Sequence, residues 1–270
     1  MKYDLIALDL DGTALTPNNT VSPAVHDAIA WARAQGLHVV ISTGRICGEA
    51  AEFARMLGTD DRMVTSGGAT LSSAAQGTCT MRISIPWEPA VRAAAVVERI
   101  GMTSMIYAGE RLLITPYDEL YFSRYKTNEG FLVSKQVEPS VAEYIATAHL
   151  SVDKIFCRSK DRVLLDRARA QIETIPGVRV MSSAEDNIEI ISPLADKGRA
   201  LAMLCRDLGT TPARCIAIGD SENDLEMLRA VGMPVAMGNA TDEVKAVCRH
   251  VTATNAADGV AQAIYHLLAP

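Results

Sequence analysis

The sequence has no long apolar run, no cysteine pair at metal-ligand spacing and no cluster of basic side chains, and each lack removes a class of function. No stretch approaches the ~18 apolar residues needed to cross a bilayer, so a membrane role is not expected. The N-terminus runs almost directly into LIAL, without basic, apolar and small-residue segments in that order, so no secretory signal is expected. The six cysteines, Cys47, Cys79, Cys157, Cys205, Cys215 and Cys248, are scattered with no CxxC pair, which fits neither a disulfide framework nor a zinc site. Lys and Arg number 26 against 32 Asp and Glu, a formal net charge of −6. Without a basic run there is no footprint for nucleic acid or an anionic membrane surface, both of which need clustered cations. Internal repeats and low-complexity segments are absent as well. What is left is a reduced, soluble chain expected in the cytoplasm. At 270 residues, 49% of them hydrophobic, it can bury a full core in one large domain or two smaller ones.

Against those absences stands a regular alternation of apolar strands and amphipathic helices. The stretch LIAL is followed by a helix in which Ser22 is an N-cap, Pro23 fits the first helical position, and Val25, Ala28, Ile29 and Ala32 share one face. Gly36 ends it. A strand, LHVVI, and a helix from about Glu49 to Leu57 with a stop at Gly58 complete a βαβ pattern, the signature of a parallel sheet. The alternation returns late in the chain. A helix with Leu201, Leu204, Cys205 and Leu208 on one face precedes the strand CIAIGD, a helix through SENDLEMLRAVG, the short strand PVAMGNA, the helix DEVKAVCRH and a last helix from about Asp258 to Leu268. The middle, residues 82–188, mixes short strand candidates (TSMIYAG, RLLITP, KIFCRS, VRVMSS) with helices and holds most of the Tyr and Phe. Its return strand NIEIISP alternates apolar and polar residues, which predicts a half-buried strand. The expected fold is α/β: a Rossmann-like parallel-sheet core domain, residues 1–81 and 189–270, with an inserted α+β domain between its halves.

Chemistry concentrates at the ends of the predicted parallel strands, the place where ligands bind in open α/β sheets. The run LIALDLDGT ends in two carboxylates one residue apart, Asp9 and Asp11. Such a pair is costly out of water unless a cation joins it, and Asp11-Gly12 is also a hairpin signal; the stretch alone leaves both readings open. Ser42, Thr43, Gly44 and Arg45 precede a helix whose free amides can bind an anion, although an ordinary helix cap has the same composition. Lys197 opens a helix, where the dipole disfavours a cation unless an anion is bound; the plainer alternative is an exposed loop lysine. Asp220, Ser221, Glu222, Asn223 and Asp224 follow CIAIG, and by themselves suit a loop and N-cap. Together the four clusters supply carboxylates for Mg²⁺, which takes oxygen ligands and substrate phosphate, and a hydroxyl, helix amides and a lysine for phosphate.

In this order and spacing the motifs DLDGT, STGR, Lys197 and GDSENDLEM resemble the four motifs of the haloacid dehalogenase superfamily, and most closely its Cof-type sugar-phosphatase-like branch with a large cap domain inserted between the second and third motifs. MGNATDEVKAV and NAADGVAQAI are similar to that branch's tail, so the resemblance covers essentially the whole chain. It implies that Asp9 is a nucleophile forming an aspartyl-phosphate and that Asp11 is the acid/base. It implies a Mg²⁺ site made of the carboxylates of Asp9 and Asp220 with the backbone carbonyl of Asp11, supported by Asp224, and phosphate binding by Leu10, Thr43, Gly44, Lys197 and Asn223. One departure stands out: many members carry Asn-Gly-Ala where this chain has Gly67, Gly68 and Ala69. Cys47, two residues past Arg45, reads as a buried structural cysteine in preference to a reactive thiol.

The expected activity is Mg²⁺-dependent hydrolysis of phosphomonoesters of small metabolites, sugar phosphates or similar, by a monomer or homodimer. A phosphomutase of the same superfamily and a non-catalytic phosphometabolite-binding protein are the alternatives. A signalling receiver domain would place its acidic pair and its phospho-accepting Asp on different strands and would lack a large insertion. Candidates for selecting the leaving group in the insert are Tyr107, Arg111, Tyr117, Arg124 and Lys126.

Overall fold

A computed structural model describes residues 2–124 and 129–269. Five parallel strands form one sheet in the order His250–Val251, Met233–Ala236, Cys215–Gly219, Leu5–Leu8, His38–Ile41. The opening strand therefore lies inside the sheet, in register with Cys215 to Ile218 on one side and His38 to Ile41 on the other. Every residue of Leu5–Leu8 and Cys215–Gly219 is buried, as continuous apolar runs must be when both faces of a parallel sheet are covered.

The expected helices are present, with ends shifted by a few residues. Ser22 accepts a hydrogen bond from Val25 N at 3.2 Å, Pro23 opens helix Pro23–Ala34, and Val25, Ala28, Ile29 and Ala32 form its buried face. That face meets the C-terminal helix Gly259–Leu268. Helix Cys47–Leu57 begins two residues before the expected Glu49 and ends at Gly58 in the left-handed conformation. Helix Lys197–Asp207 buries Leu201, Leu204 and Cys205 and packs on helix Leu225–Ala230. Leu208 lies just past its end.

An antiparallel hairpin pair, Arg62–Thr65, Thr70–Ser73 and Thr78–Arg82, extends the core through a bridge between Ser42 and Val64. From there the chain enters a second sheet of six strands, ordered Arg179–Met181, Asn187–Ile191, Lys154–Arg158, Thr103–Ala108, Arg111–Ile114, Lys135–Val137. One face packs on helices Trp87–Ile100, Val141–Ala148 and Arg162–Ile172 through Ile106, Ile155, Cys157, Ile188 and Ile190. Period-two alternation sends Met105, Tyr107, Lys154, Phe156 and Glu189 to the other face. The strand Asn187–Ile191 runs on past the expected boundary at 188. It also corrects the expectation of a half-buried strand, because all five of its residues are buried. Its polar face lies against the parallel-sheet core instead of solvent.

Within the parallel-sheet core, the segments before and after the insert meet through close backbone contacts. Gly68 has φ +91°, and a Cβ there would lie 2.2 Å from the carbonyl carbon of Asp196 and 2.5 Å from Lys197 N. Gly68→Ala should therefore lose about 1–3 kcal/mol of stability from overpacking beyond the left-handed strain. Gly101 has φ +76° with nothing within 4 Å of such a Cβ, so Gly101→Ala carries the strain alone. Urea unfolding of both variants checks this, and equal losses would contradict the contact.

Candidate active site

Three strand ends bring the acidic clusters together. Asp9 follows strand Leu5–Leu8 and its amide donates to Ile218 O at 3.1 Å, while Ser42 N donates to Leu8 O at 2.8 Å. The chain then turns through Leu10 to Ala14, with Gly12 at φ +77°. A Cβ at Gly12 would lie 2.3 Å from Asp220 Oδ2, so only glycine lets the turn close over the neighbouring strand end. The turn feeds a loop and helix; no strand returns, and the hairpin reading of Asp11-Gly12 is not realised.

At the centre is a buried ammonium. Lys197 Nζ lies 2.7 Å from Asp9 Oδ1, 2.7 Å from Asp224 Oδ1 and 3.4 Å from Asn223 Oδ1. Asp224 Oδ2 accepts the amides of Asp220 and Ser221 at 3.0 and 3.2 Å, and Asp220 Oδ1 accepts from Thr13 Oγ1 at 2.9 Å. Asp9, Asp220 and Asp224 each offer a carboxylate oxygen, and these atoms lie within 4.8 Å of one another. A set of hard oxygen donors suits a divalent cation. The electrostatics point the same way. Burial pushes the Asp9 carboxyl well above its ordinary range; Lys197 pulls it down, but Asp224, Asp220 and Asp11 push further up. Burial and then Asp224 raise Asp220 to about 7. Lys197 loses hydration too, yet Asp224 and Asp9 hold its pKa well above the usual lysine value. One ammonium does not balance three crowded carboxylates, and a second cation would.

Asp11 faces the other way. Its carboxylate is gripped by Arg45 through Nη2 at 2.6 Å and Nε at 2.9 Å, and Arg45 also reaches Glu49 at 3.4 Å and stacks over the Phe53 ring at 4.8 Å. Desolvation would raise the Asp11 pKa, but the Arg45 guanidinium overcomes it and holds the carboxyl below its ordinary range.

Asp9, Asp11, Gly44, Arg45 and Asn223 line a cavity of about 370 Å³ between the two sheets. Leu10, Thr43, Lys197, Asp220 and Asp224 are not on its wall; Thr43 and Lys197 are fully buried. The opposite wall comes from the insert, with Met105 and Phe156 on its apolar part and Arg158, Asp186 and Asn187 on its polar rim. Of the five candidates from the insert, Tyr107 lines the cavity. Arg111 instead binds Tyr144 OH at 2.9 Å, Tyr117 is exposed along a groove with Glu98 and Met102, Arg124 is exposed, and Lys126 lies outside the described residues. Cys47 is buried with its sulfur toward Ser73 O.

The family model for haloacid dehalogenase-like hydrolases matches residues 6–264. This chain belongs to that family. The hydrolase is 32% identical over 269 residues to the 5-amino-6-(5-phospho-D-ribitylamino)uracil phosphatase YcsE of Bacillus subtilis, covering 97% of this chain and 94% of the relative. It is 28% identical over 275 residues to the pyridoxal phosphate phosphatase YbhA of Escherichia coli, covering 99% and 100%. A solved haloacid dehalogenase-like hydrolase from B. subtilis superposes with a TM-score of 0.86 at 27% identity, covering 99% of this chain and 100% of the other. The resemblance to Cof-type phosphatases thus holds along the whole hydrolase, and its enzyme class is phosphoric monoester hydrolase.

Sequence reasoning passed over several residues that the fold brings here. Thr13 sits inside DLDGT and Asn239, whose Nδ2 donates to Gly12 O at 2.8 Å, inside MGNA, so both motifs were visible without a role for these side chains. Lys154 and Glu189 carried no signal beyond strand alternation.

The raised Asp220 pKa sets a pH dependence for the metal-free hydrolase. Above the ordinary value of 3.8 the unfolded carboxyl ionises while the folded one stays protonated up to about 7, so this group's contribution to stability is present below pH 3.8 and is lost as pH rises to 7. With a chelator present, thermal unfolding midpoints of wild type should fall across pH 4–7 relative to Asp220→Asn. Added divalent cation should restore the wild type and not the variant.

Proposed function

We propose that this hydrolase is a Mg²⁺-dependent phosphatase that cleaves phosphomonoesters of small metabolites through an aspartyl-phosphate on Asp9. The observation that carries the reading is the cluster of Asp9, Asp220 and Asp224, two of which, Asp9 and Asp224, pair with the buried Lys197 ammonium. An Asp9 oxygen attacks phosphorus, and the bond from phosphorus to the alcohol oxygen breaks with its electron pair going to that oxygen. Asp11 gives the departing alcohol a proton. Water then attacks the phosphorus of the aspartyl-phosphate while Asp11 takes a proton from it, and orthophosphate leaves with Asp9 regenerated. A placed acid/base of this kind contributes about 10²–10⁴ in rate. For this exchange Asp11 has to leave Arg45, whose grip keeps it ionised and turned aside.

Asp9, Asp220 and the Asp11 carbonyl would hold the Mg²⁺, with Asp224 in support. The ion supplies charge neutralisation at the transferring phosphoryl group. Thr43, the amides of Leu10 and Gly44, Lys197 and Asn223 grip the phosphoryl oxygens. Asn223 has its carbonyl engaged by Ser221 and facing Lys197, so its NH₂ is the group with which it can donate. Metal, ammonium and amides together supply a large share of a barrier reduction of roughly 20 kcal/mol, because uncatalysed phosphate monoester hydrolysis is among the slowest biological reactions.

The substrates in the names of the two curated relatives are small phosphorylated metabolites, and the cavity of about 370 Å³ suits a leaving group of that size. We assign residues 82–191 as the cap that holds it and residues 1–81 with 192–270 as the catalytic core. One chain carries every residue named here, so a monomer suffices. The six free cysteines fit work in the cytoplasm.

A panel of phosphomonoesters assayed for inorganic phosphate, with and without Mg²⁺, tests the reading. Wild type should release phosphate only with the metal, and Asp9→Asn should lower the rate by at least about 10³-fold, as loss of a nucleophile does. Transfer to a sugar without phosphate release would mark a mutase. Equal release by wild type and variant would sink the assignment of Asp9.

A further inference from the structure

Lys154 belongs to the inserted sheet, yet its ammonium ends in the core. Strand Lys154–Arg158 lies between Thr103–Ala108 and Asn187–Ile191, and the register places Tyr107, Lys154 and Ile191 in one row and Met105, Phe156 and Glu189 in the next. Lys154 is 2% exposed and Glu189 also 2%. Lys154 Nζ donates to Gly44 O at 2.5 Å and to Glu189 Oε2 at 3.2 Å, and it sits over the rings of Tyr107 and Phe156 at 4.7 and 5.7 Å from their centroids. Glu189 in turn accepts from Ser183 Oγ at 2.6 Å. An ammonium taken out of water is retained only with such compensation.

The pair rests above two glycines of the core loops. A Cβ at Gly44 would lie 3.2 Å from Lys154 Nζ and 3.6 Å from Glu189 Oε1, and one at Gly67 would lie 3.8 Å from Glu189 Oε2. Around Gly44 the other backbone groups are tied from within the core. Thr43 N donates to Val64 O at 2.9 Å, Gly67 N to Thr43 O at 3.0 Å, Ser66 N to Arg45 O at 2.8 Å, and Arg45 N to Thr43 Oγ1 at 3.2 Å. The Gly44 carbonyl takes its side-chain partner from the insert, and among the described residues the Gly44 amide has no acceptor.

We propose that Lys154 is a positioning residue for phosphate binding: Gly67 N, bonded to Thr43 O, orients the planar peptide that carries the Gly44 amide, and Lys154, from the inserted sheet, fixes the Gly44 carbonyl on the other side of the same residue, so that the amide is held rigidly on a phosphoryl oxygen when that sheet is docked on the core. The proposal rests on the phosphatase reading and adds to it a means by which docking of the insert stiffens the core loop. A fixed donor aimed at developing charge is worth about 10²–10³ in rate in other enzymes, and a loop loosened at one of its ties loses part of that.

The test compares Lys154→Met, Lys154→Arg and the double variant Lys154→Met/Glu189→Gln, all as full chains with Mg²⁺. Lys154→Met leaves Glu189 buried without its cation and can fail to fold, whereas the double variant removes both charges and keeps the volume. The double variant should be folded by circular dichroism, with kcat lowered roughly ten- to hundredfold and KM changed less. Lys154→Arg, which keeps a donor for the Gly44 carbonyl, should recover part of the rate. A folded double variant with wild-type kcat would overturn the proposal, since a pair that only holds the sheets together is replaceable by apolar groups. Binding of inorganic phosphate in the presence of Mg²⁺, followed by calorimetry, separates this inference from the reading beneath it. If wild type hydrolyses nothing but binds phosphate, and the double variant binds at least tenfold more weakly, the phosphatase reading fails and the positioning role stands. Equal phosphate binding by both would sink the positioning role, and a wild type that neither hydrolyses nor binds phosphate would overturn both.

Discussion

Neighbouring parallel strands run about 4.8 Å apart, and in this chain two adjacent strands each end in an aspartate, Asp9 and Asp220. The spacing of the sheet forces their charges together. Everything else at that edge answers the resulting repulsion. The helix carrying Lys197 docks so that its first residue brings an ammonium between Asp9 and Asp224, Asp224 spends its second oxygen on the amides of Asp220 and Ser221, and Thr13 donates to Asp220. Gly12, Gly68, Gly198 and Gly219 are among the points where a neighbour comes too close for a side chain. The architecture concentrates negative charge in a buried place and then supplies too little positive charge to cancel it, a setting that suits a divalent cation.

The same geometry explains why two carboxylates one residue apart behave oppositely. In a continuing strand residues two apart would share one side, but the chain leaves the strand at Asp9 and turns through Leu10 to Ala14, so Asp9 lies among the carboxylates while Asp11 meets Arg45. One carboxyl is pushed up and the other held down. Paired titratable groups driven apart by their surroundings are a pattern of acid/base division, and here the turn after the strand sets the two surroundings apart.

Much of this was legible before any coordinates. Apolar runs ending in polar clusters marked the parallel strands, Ser22 and Pro23 marked a helix start, and the separation of Thr43, Lys197 and Asp220 along the chain mattered little because all three fall at strand or helix ends on one edge. Other parts were hidden for physical reasons. Alternation in NIEII predicts one solvated face, and nothing in a period of two tells solvent from a second polar surface; Glu189 is buried because it meets Lys154 and lies over Gly44 and Gly67. Arg111 and Tyr117 read as plausible ligands for a phosphorylated metabolite because they are long and polar, yet their strand register and helix position turn them away from the cavity. The Arg45 and Asp11 pair joins two motifs that are each recognisable, but their mutual contact belongs to the fold and to neither motif.

The position of the insert has a consequence for how the chain is made. Thr13 and Asp220 bond to each other across 207 residues of sequence, and Lys197 and Asp9 across 188. The strand Leu5–Leu8 leaves the ribosome well before its partner Cys215–Gly219, so the parallel sheet cannot close around the site until the insert between them has been synthesised. The insert, with its own apolar core and its strands close in sequence, has its contacts available earlier. Long-range parallel pairing is the slow kind. During synthesis the charged end of strand Leu5–Leu8 therefore waits in solvent, where a pair of aspartates is at ease, and the acidic cluster assembles only after the insert has been made.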